Sequence, residues 1–525
     1  REIDLTGSMK DSDVAIIGGG HNGLVAACYL ARGGKKVTLF EKRSTLGGAT
    51  ASVYAFDGVA AKLSRYSYLV ALLPDQIIND LGLNFTTLSR TVSSYTPYVN
   101  SKGKSDGILI NRIFDKESQS SIIRAASAED CASWEDFYNR VAEIAEVLAP
   151  TLLQPVRTQS AMKELVRSAL GERGIETWNE IIERPLGQTL QKYFSDDLIK
   201  GIVFTDGVIG TLASGDEILS NICFLYHLIG NGTGEWKVPL GGMGALVDEL
   251  SAKARDLGVQ ILTDAEVVSL TEYKEGIEID LKDGTTHSAH VALAACSPSI
   301  LERIAKIPAP KYREGSQLKI NMVLHQLPEL KSGDDPKSAF AGTFHINESY
   351  SQIESALRQA QAGVIPDVIP AEMYCHTLTD PSILSEELRD KGFHTLTLFA
   401  IHIPASLFES DPDRVKEELT RRTLDQLSEY LVKPIEDYIA RDANGELCIE
   451  VKTPLELERD IDLPRGNIFH GDLRFPWRND SENYRWGSET LSPKIFLAGA
   501  GSLRGGGVSG IGGHNAAMAA LEKLQ

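Results

Sequence analysis

The 525 residues carry a formal net charge of −19 with 42% hydrophobic and 24% charged side chains, an ordinary balance for a globular protein. The negative surplus argues against nucleic acid and against attraction to anionic lipid, leaving at most peripheral membrane contact. The length allows three or four average domains, or two large interleaved ones.

Val14 to Ile17 is an uninterrupted apolar run, as expected for a strand buried on both faces of a parallel sheet. Gly18, Gly20 and Gly23 follow it in G-x-G-x-x-G spacing. Their separate duties are a tight turn, close approach of backbone to a pyrophosphate, and close helix-on-strand packing. The helix that begins at once would turn its free N–H groups to the phosphates. Val37 to Phe40 reads as the second parallel strand, and Glu41 at its end stands where an acid accepts the ribose hydroxyls. Strand, glycines, helix and acid in one βαβ unit predict an adenine dinucleotide site. Arg1 to Ser8 ends in Gly-Ser before Met9 and reads as a cloning remnant. With the motif so near Met9 and no 18-residue apolar run, a cytoplasmic protein without signal peptide or membrane span is expected. Six scattered cysteines without a C-x-x-C pair suggest neither a disulfide framework nor a zinc knuckle.

The string from Ile16 to Ala49 places His21-Asn-Gly-Leu-Val-Ala-Ala27 inside the glycine motif and follows Glu41-Lys-Arg43 with Gly47-Gly48. It resembles the phytoene desaturase-like flavoproteins, and within them the branch containing the pyridine nucleotide-disulphide oxidoreductase domain-containing protein 2. Ser64-Arg-Tyr-Ser-Tyr68 fits the same branch, where this segment passes near the flavin.

Further along, Gly107 to Ile113 and Ser121 to Arg124 read as short strands. From Asp130 the period changes: Trp134, Phe137, Val141, Ile144 and Val147 lie on one helical face, and a helical insertion to about residue 230 is expected. Its apolar faces suit plain core better than a substrate cavity. Trp236-Lys-Val-Pro-Leu-Gly-Gly-Met-Gly244 opens another helix with Gly258 as its C-cap, and it matches the segment by which the resembling family returns to its nucleotide domain. Strands follow from Val259, from Ala265 and from Gly276, the last turning at Asp283-Gly284. His287 and His290 on the return strand point to opposite faces, so no metal ligand pair is expected. Residues 315 to 455 alternate strands such as Leu318 to Leu324 and His394 to Ile401 with helices such as Asp413 to Leu431, which suits a second domain with an open sheet. Lys494 to Gly501 is a buried strand running into glycines, and a final helix begins near His514.

The resemblance implies an α/β fold: a discontinuous Rossmann-type, amine-oxidase-like FAD-binding domain (10–115, 235–300 and 460–525) interleaved with an α+β substrate or cap domain (116–234 and 301–459). It implies noncovalent FAD held by Gly18, Gly20, His21, Asn22, Gly23, Glu41, Lys42, Arg43, Gly47, Gly48, Ala49, Ser64, Val267, Cys296, Gly499, Gly507, Val508 and Ile511. The start of the final helix would face the flavin's pyrimidine edge. His470 is a candidate proton donor or acceptor, and Arg65 and Arg504 are candidates to hold charge near the reduced ring; structural roles stay open for all three. The expected activity is that of an FAD-dependent oxidoreductase, a desaturase or saturase acting on a hydrophobic compound, isoprenoids among the candidates, with dioxygen or a quinone as electron acceptor. Alternatives are an amine or amino-acid oxidase, a flavin-dependent isomerase, or a non-catalytic FAD-binding partner protein. Whether the chain forms a homo-oligomer stays open.

Overall fold

The computed structural model describes residues 10–230 and 232–525; the expected remnant at 1–8 lies outside them. Ser12–Ile17 pairs in parallel with Val37–Phe40 on one side and with Thr286–Ala294 on the other. Gln260–Leu262 extends this sheet beyond Val37–Phe40, and Ile495–Leu497 runs parallel to the end of Thr286–Ala294. Val267–Tyr273 and Gly276–Leu281 complete seven strands as an antiparallel hairpin edge. Val14, Ala15, Ile16 and Leu39 are wholly buried, which is why their segments read as continuous apolar runs. Helices His21–Arg32 and Ile511–Lys523 pack on this sheet, so both ends of the chain meet there.

A second seven-stranded sheet orders Ile449–Lys452, Leu318–Leu324, His394–Ala400, Ala371–Tyr374, Thr343–Ile346, Val92–Val99 and Ser105–Asn111. All its pairs are antiparallel except Thr343–Ile346 with Val92–Val99. Of the expected segment 10–115, Val92–Val99 finds a partner in Thr343–Ile346, more than 200 positions away, and Ser105–Asn111 pairs with Val92–Val99. A correction concerns Ser121 to Arg124, which belongs to the helix Lys116–Ala125. Asp115 caps this helix by accepting from the Ser118 N–H, and the Ser118 and Ser121 hydroxyls accept from Asn111 and Leu109 of the strand beneath. With Ile122 buried and Ile123 exposed, two apolar neighbours are too few to set a period.

The helical insertion is present from Ala128 to Ile229. Trp134, Phe137, Val141 and Ile144 are buried in the large core shared with the first sheet. Of this insertion, Ile209 and His227 reach the cleft between the two sheets. Among the described residues no helix is long and apolar enough to cross a membrane.

Candidate functional site

A cleft runs from the C-terminal ends of the first sheet's parallel strands to the face of the second sheet, the crevice where open α/β sheets bind their ligands. At its outer end Gly18 turns the chain with φ +110°, and a Cβ on Gly23 would lie 2.0 Å from the Gly18 carbonyl oxygen, so helix and strand meet there without a side chain. At Gly20 the situation is opposite: a Cβ would meet only the Gly47 oxygen at 3.8 Å and would stand in the cleft. Gly18 thus sits at a turn and Gly23 at a close helix-on-strand contact, while the space over Gly20 is open to the cleft. Glu41 is buried. Its carboxylate accepts from the Gly19 N–H at 2.8 Å and from the Arg43 N–H at 2.9 Å, which fixes its orientation toward the cleft.

Two histidines face this end. His21 and His470 both line the cleft, and their Nε2 and Nδ1 atoms respectively are buried without a protein partner. Burial, aided by His470, pushes His21 down to about 4, and burial pushes His470 down to about 4. Both rings are neutral at pH 7, each with a nitrogen free to bond a ligand. His470 is held at φ +62°.

The inner end is made of rings. Tyr68 lies 4.5 Å from Tyr374 and 4.9 Å from Phe399 between centroids, and Trp236 stacks near-parallel on Tyr374. Lys319, in the fully buried strand Leu318–Leu324, places Nζ 5.0 Å from the Tyr68 ring and 5.7 Å from that of Phe399. Its Nζ donates to the Ser64 carbonyl at 3.3 Å. Burial holds this amine well below the usual lysine range, which favours its proton-accepting form at the cleft wall. Sequence reasoning missed Lys319, although a lysine within Leu318-Lys-Ile-Asn-Met-Val-Leu is a visible anomaly, since lysine is almost never buried without cause.

Of the predicted ligand-holding residues, Gly18, Gly20, His21, Asn22, Glu41 and Arg43 line the cleft, as do Lys42, Gly48, Ala49, Val267, Cys296, Gly507 and Val508. Lys42 is paired with Asp462, and burial pushes the Cys296 thiol up to about 12, leaving it protonated. Others shape the cleft from behind. Gly47 donates to the Gly19 carbonyl at 3.0 Å, Ser64 Oγ accepts from the Met243 N–H at 3.0 Å, and Gly23, Gly499 and Ile511 are packing positions. The two arginines, for which the sequence leaves structural roles open, make contacts within the protein. Arg65 is clamped by Glu450 through two hydrogen bonds of 2.9 and 3.0 Å. The buried Arg504 donates to the carbonyls of Thr151, Gln154 and Trp486, tying three loops together. Neither lines the cleft: Arg65 is paired with Glu450, and Arg504 spends its two terminal nitrogens on loop carbonyls while its Nε is left without a partner.

Comparison with known proteins agrees with this geometry. Residues 16–72 match the NAD(P)-binding Rossmann-like domain family, and residues 76–431 match the family described as flavin containing amine oxidoreductase. The chain belongs to that flavin-containing oxidoreductase family. An uncharacterized protein of Mycobacterium tuberculosis is 42% identical over 98% of both chains. The mouse (Mus musculus) pyridine nucleotide-disulfide oxidoreductase domain-containing protein 2 is 30% identical, covering 98% of this chain and 94% of its own. A carotenoid 3,4-desaturase of Haloarcula japonica is 28% identical over 56% of each. Among solved structures, cyclohexylamine oxidase from Brevibacterium oxydans superposes with a TM-score of 0.55 at 16% identity, covering 98% of this chain and 99% of its own, which shows a shared fold. The protein is an FAD-dependent oxidoreductase of the phytoene desaturase-like kind, and the site fits the cofactor. The open cradle over Gly20, the Glu41 carboxylate and the orphaned nitrogens of His21 and His470 are the features a dinucleotide would complete.

Proposed function

We propose that the protein is a desaturase- or saturase-type enzyme that exchanges hydride between FAD and a hydrophobic substrate, with isoprenoid compounds as the first class. The observation that carries this reading is the inner wall. Tyr68, Trp236, Phe399, Phe469 and Ile209 offer ring faces and aliphatic carbon. Among the described residues, the carboxylates that line the cleft are Glu41, Glu266 and Asp462, all toward the first sheet. An amine substrate would call for an anionic anchor, and among the described residues no carboxylate lines this wall. The name of the Haloarcula relative, a carotenoid desaturase, points the same way.

FAD, when bound, supplies the hydride chemistry through its isoalloxazine ring. The protein's share is to exclude water with the aromatic wall, to orient the substrate against it, and to hold the accompanying proton at Lys319 Nζ. Electrons leave for dioxygen, a quinone or another small acceptor, since of the two G-x-G-x-x-G runs only Gly18 to Gly23 is followed by helix, strand and acid, whereas Gly505 to Gly510 opens the final helix with no strand after it, and a two-dinucleotide reductase needs a second βαβ unit. The test is anaerobic addition of isoprenoids, amines, NADH and NADPH to the yellow enzyme while the flavin absorbance is followed. Bleaching by an isoprenoid, with reoxidation by dioxygen or a quinone, is expected. Bleaching by amines alone would make the protein an amine oxidase, and catalytic bleaching by NADH or NADPH would overturn the acceptor assignment. No reduction by any of them would favour an isomerase or an FAD-binding partner protein.

A further inference from the structure

Behind the aromatic wall lies a cluster that the hydride chemistry does not use. His345 of Thr343–Ile346 and Glu372 of Ala371–Tyr374 are directly opposed across an antiparallel pair, so their side chains share a face. Asn347, at φ +56°, turns the chain so that Glu348 folds back beside His345. Helix Asp197–Phe204 closes over them because Gly201 has no side chain: a Cβ there would stand 1.8 Å from the Glu348 carbonyl oxygen. His345, Glu348 and Glu372 are 5, 0 and 1% exposed. Their ligand atoms lie within 4.8 Å of one another.

The hydrogen bonds around these groups do not satisfy them. Glu348 Oε2 meets His345 Nδ1 and the Thr205 hydroxyl, and that hydroxyl lies 2.9 Å from both Glu348 Oε2 and the Gly201 carbonyl with one proton to give. Glu348 Oε1 is buried with no partner at all. If the carboxyl is ionised this oxygen lacks a donor, and if it is protonated there the hydroxyl lacks an acceptor. A fully buried oxygen of either kind is costly. The charge is unbalanced too. Asp206 acts on His345 and Glu348, and Arg90, which donates to Thr343 Oγ1 and the Trp236 carbonyl, is the cation facing the group. Three carboxylates against one guanidinium leave two negative charges in excess when all are ionised.

We propose that His345, Glu348 and Glu372 form a buried structural site for one divalent transition-metal cation, of the manganese or zinc class. One imidazole nitrogen with carboxylate oxygens suits these ions better than calcium or magnesium, which take oxygen ligands. The cation would give Glu348 Oε1 its missing partner and cancel the surplus charge. It would join the two strands to the end of helix Asp197–Phe204. Glu372 accepts from the Tyr374 hydroxyl, and Tyr374 packs on Tyr68 and Trp236, so the ion would stiffen the wall that faces the substrate.

The experiment uses the FAD-loaded protein from cultures supplemented with manganese or with zinc, dialysed against metal-free buffer and assayed by plasma mass spectrometry. One retained equivalent of either metal is expected. Its removal with a chelator should lower the thermal midpoint, and readdition of Mn²⁺ or Zn²⁺ alone should restore it. Glu348→Gln should keep its flavin and lose metal affinity by at least about a hundredfold, beyond the range for outer partners of a metal site. Should that variant fail to fold, stripping and reloading the wild-type protein decides the matter by itself. Substoichiometric metal from both cultures, with no change in midpoint on adding millimolar Mn²⁺ or Zn²⁺, would overturn the site and leave shared protons as the only charge compensation.

Discussion

At the outer end of the cleft, the lining falls to consecutive residues, Gly18 to Asn22, with one carboxylate from the end of the next strand. At the inner end it falls to side chains from five separated segments, those of Tyr68, His227, Trp236, Lys319 and Phe399. Backbone recognition demands the absence of side chains and is indifferent to what the rest of the molecule binds. Side-chain recognition depends on how two sheets pack, and so it can vary between relatives that keep one cofactor. This is the physical reason a common fold carries different substrates.

Three substitutions would break or sharpen that contrast. The largest effect belongs to Gly20→Val. Its branch meets open cleft, so the chain should fold with an unchanged far-ultraviolet dichroism spectrum yet purify colourless. A fully yellow variant would show that the cradle does not hold the pyrophosphate. Next comes Lys319→Met, which leaves the outer end untouched. FAD content should stay at the wild-type level, while flavin reduction by any compound that bleaches the wild type slows by about 10²–10⁴-fold, the usual worth of a positioned acid or base. Because the folded amine is held well below the ordinary lysine value, its proton-accepting form grows as pH rises. The wild-type rate should climb through that pKa, and the methionine variant should lack the climb. A parallel loss in both profiles would reduce Lys319 to a packing residue.

The smallest effect is expected for Glu41→Ala. Hydrogen bonds to a charged acceptor are worth about 1.5–3 kcal/mol, so FAD affinity, read by fluorescence titration of the apoprotein, should fall on the order of ten- to a hundredfold. The Gly19 and Arg43 N–H groups lose their acceptor as well, so the loop should loosen with it. Unchanged affinity would mean that the ribose is held elsewhere.

Everything that depends on a few neighbouring residues could be read from the sequence alone. The glycines, the helix after them, Glu41 and the final glycine-rich strand and helix were all legible there, because turn geometry, helix starts and strand burial are set by local sterics and by the period of apolar residues. Tertiary structure decided the rest. Residues 92–111 joined the second sheet through a partner far along the chain. Ser121 to Arg124 became helix because serine hydroxyls docked it on a strand. Arg65 and Arg504 went to the fold, since Glu450 and three loop carbonyls reached them first. Lys319 became a cleft residue, and His345, Glu348 and Glu372 became one cluster, only when strands hundreds of residues apart in places were laid side by side. Strand pairing and long-range packing carry no local signature, and the electrostatic state of a side chain is set by what that packing brings against it.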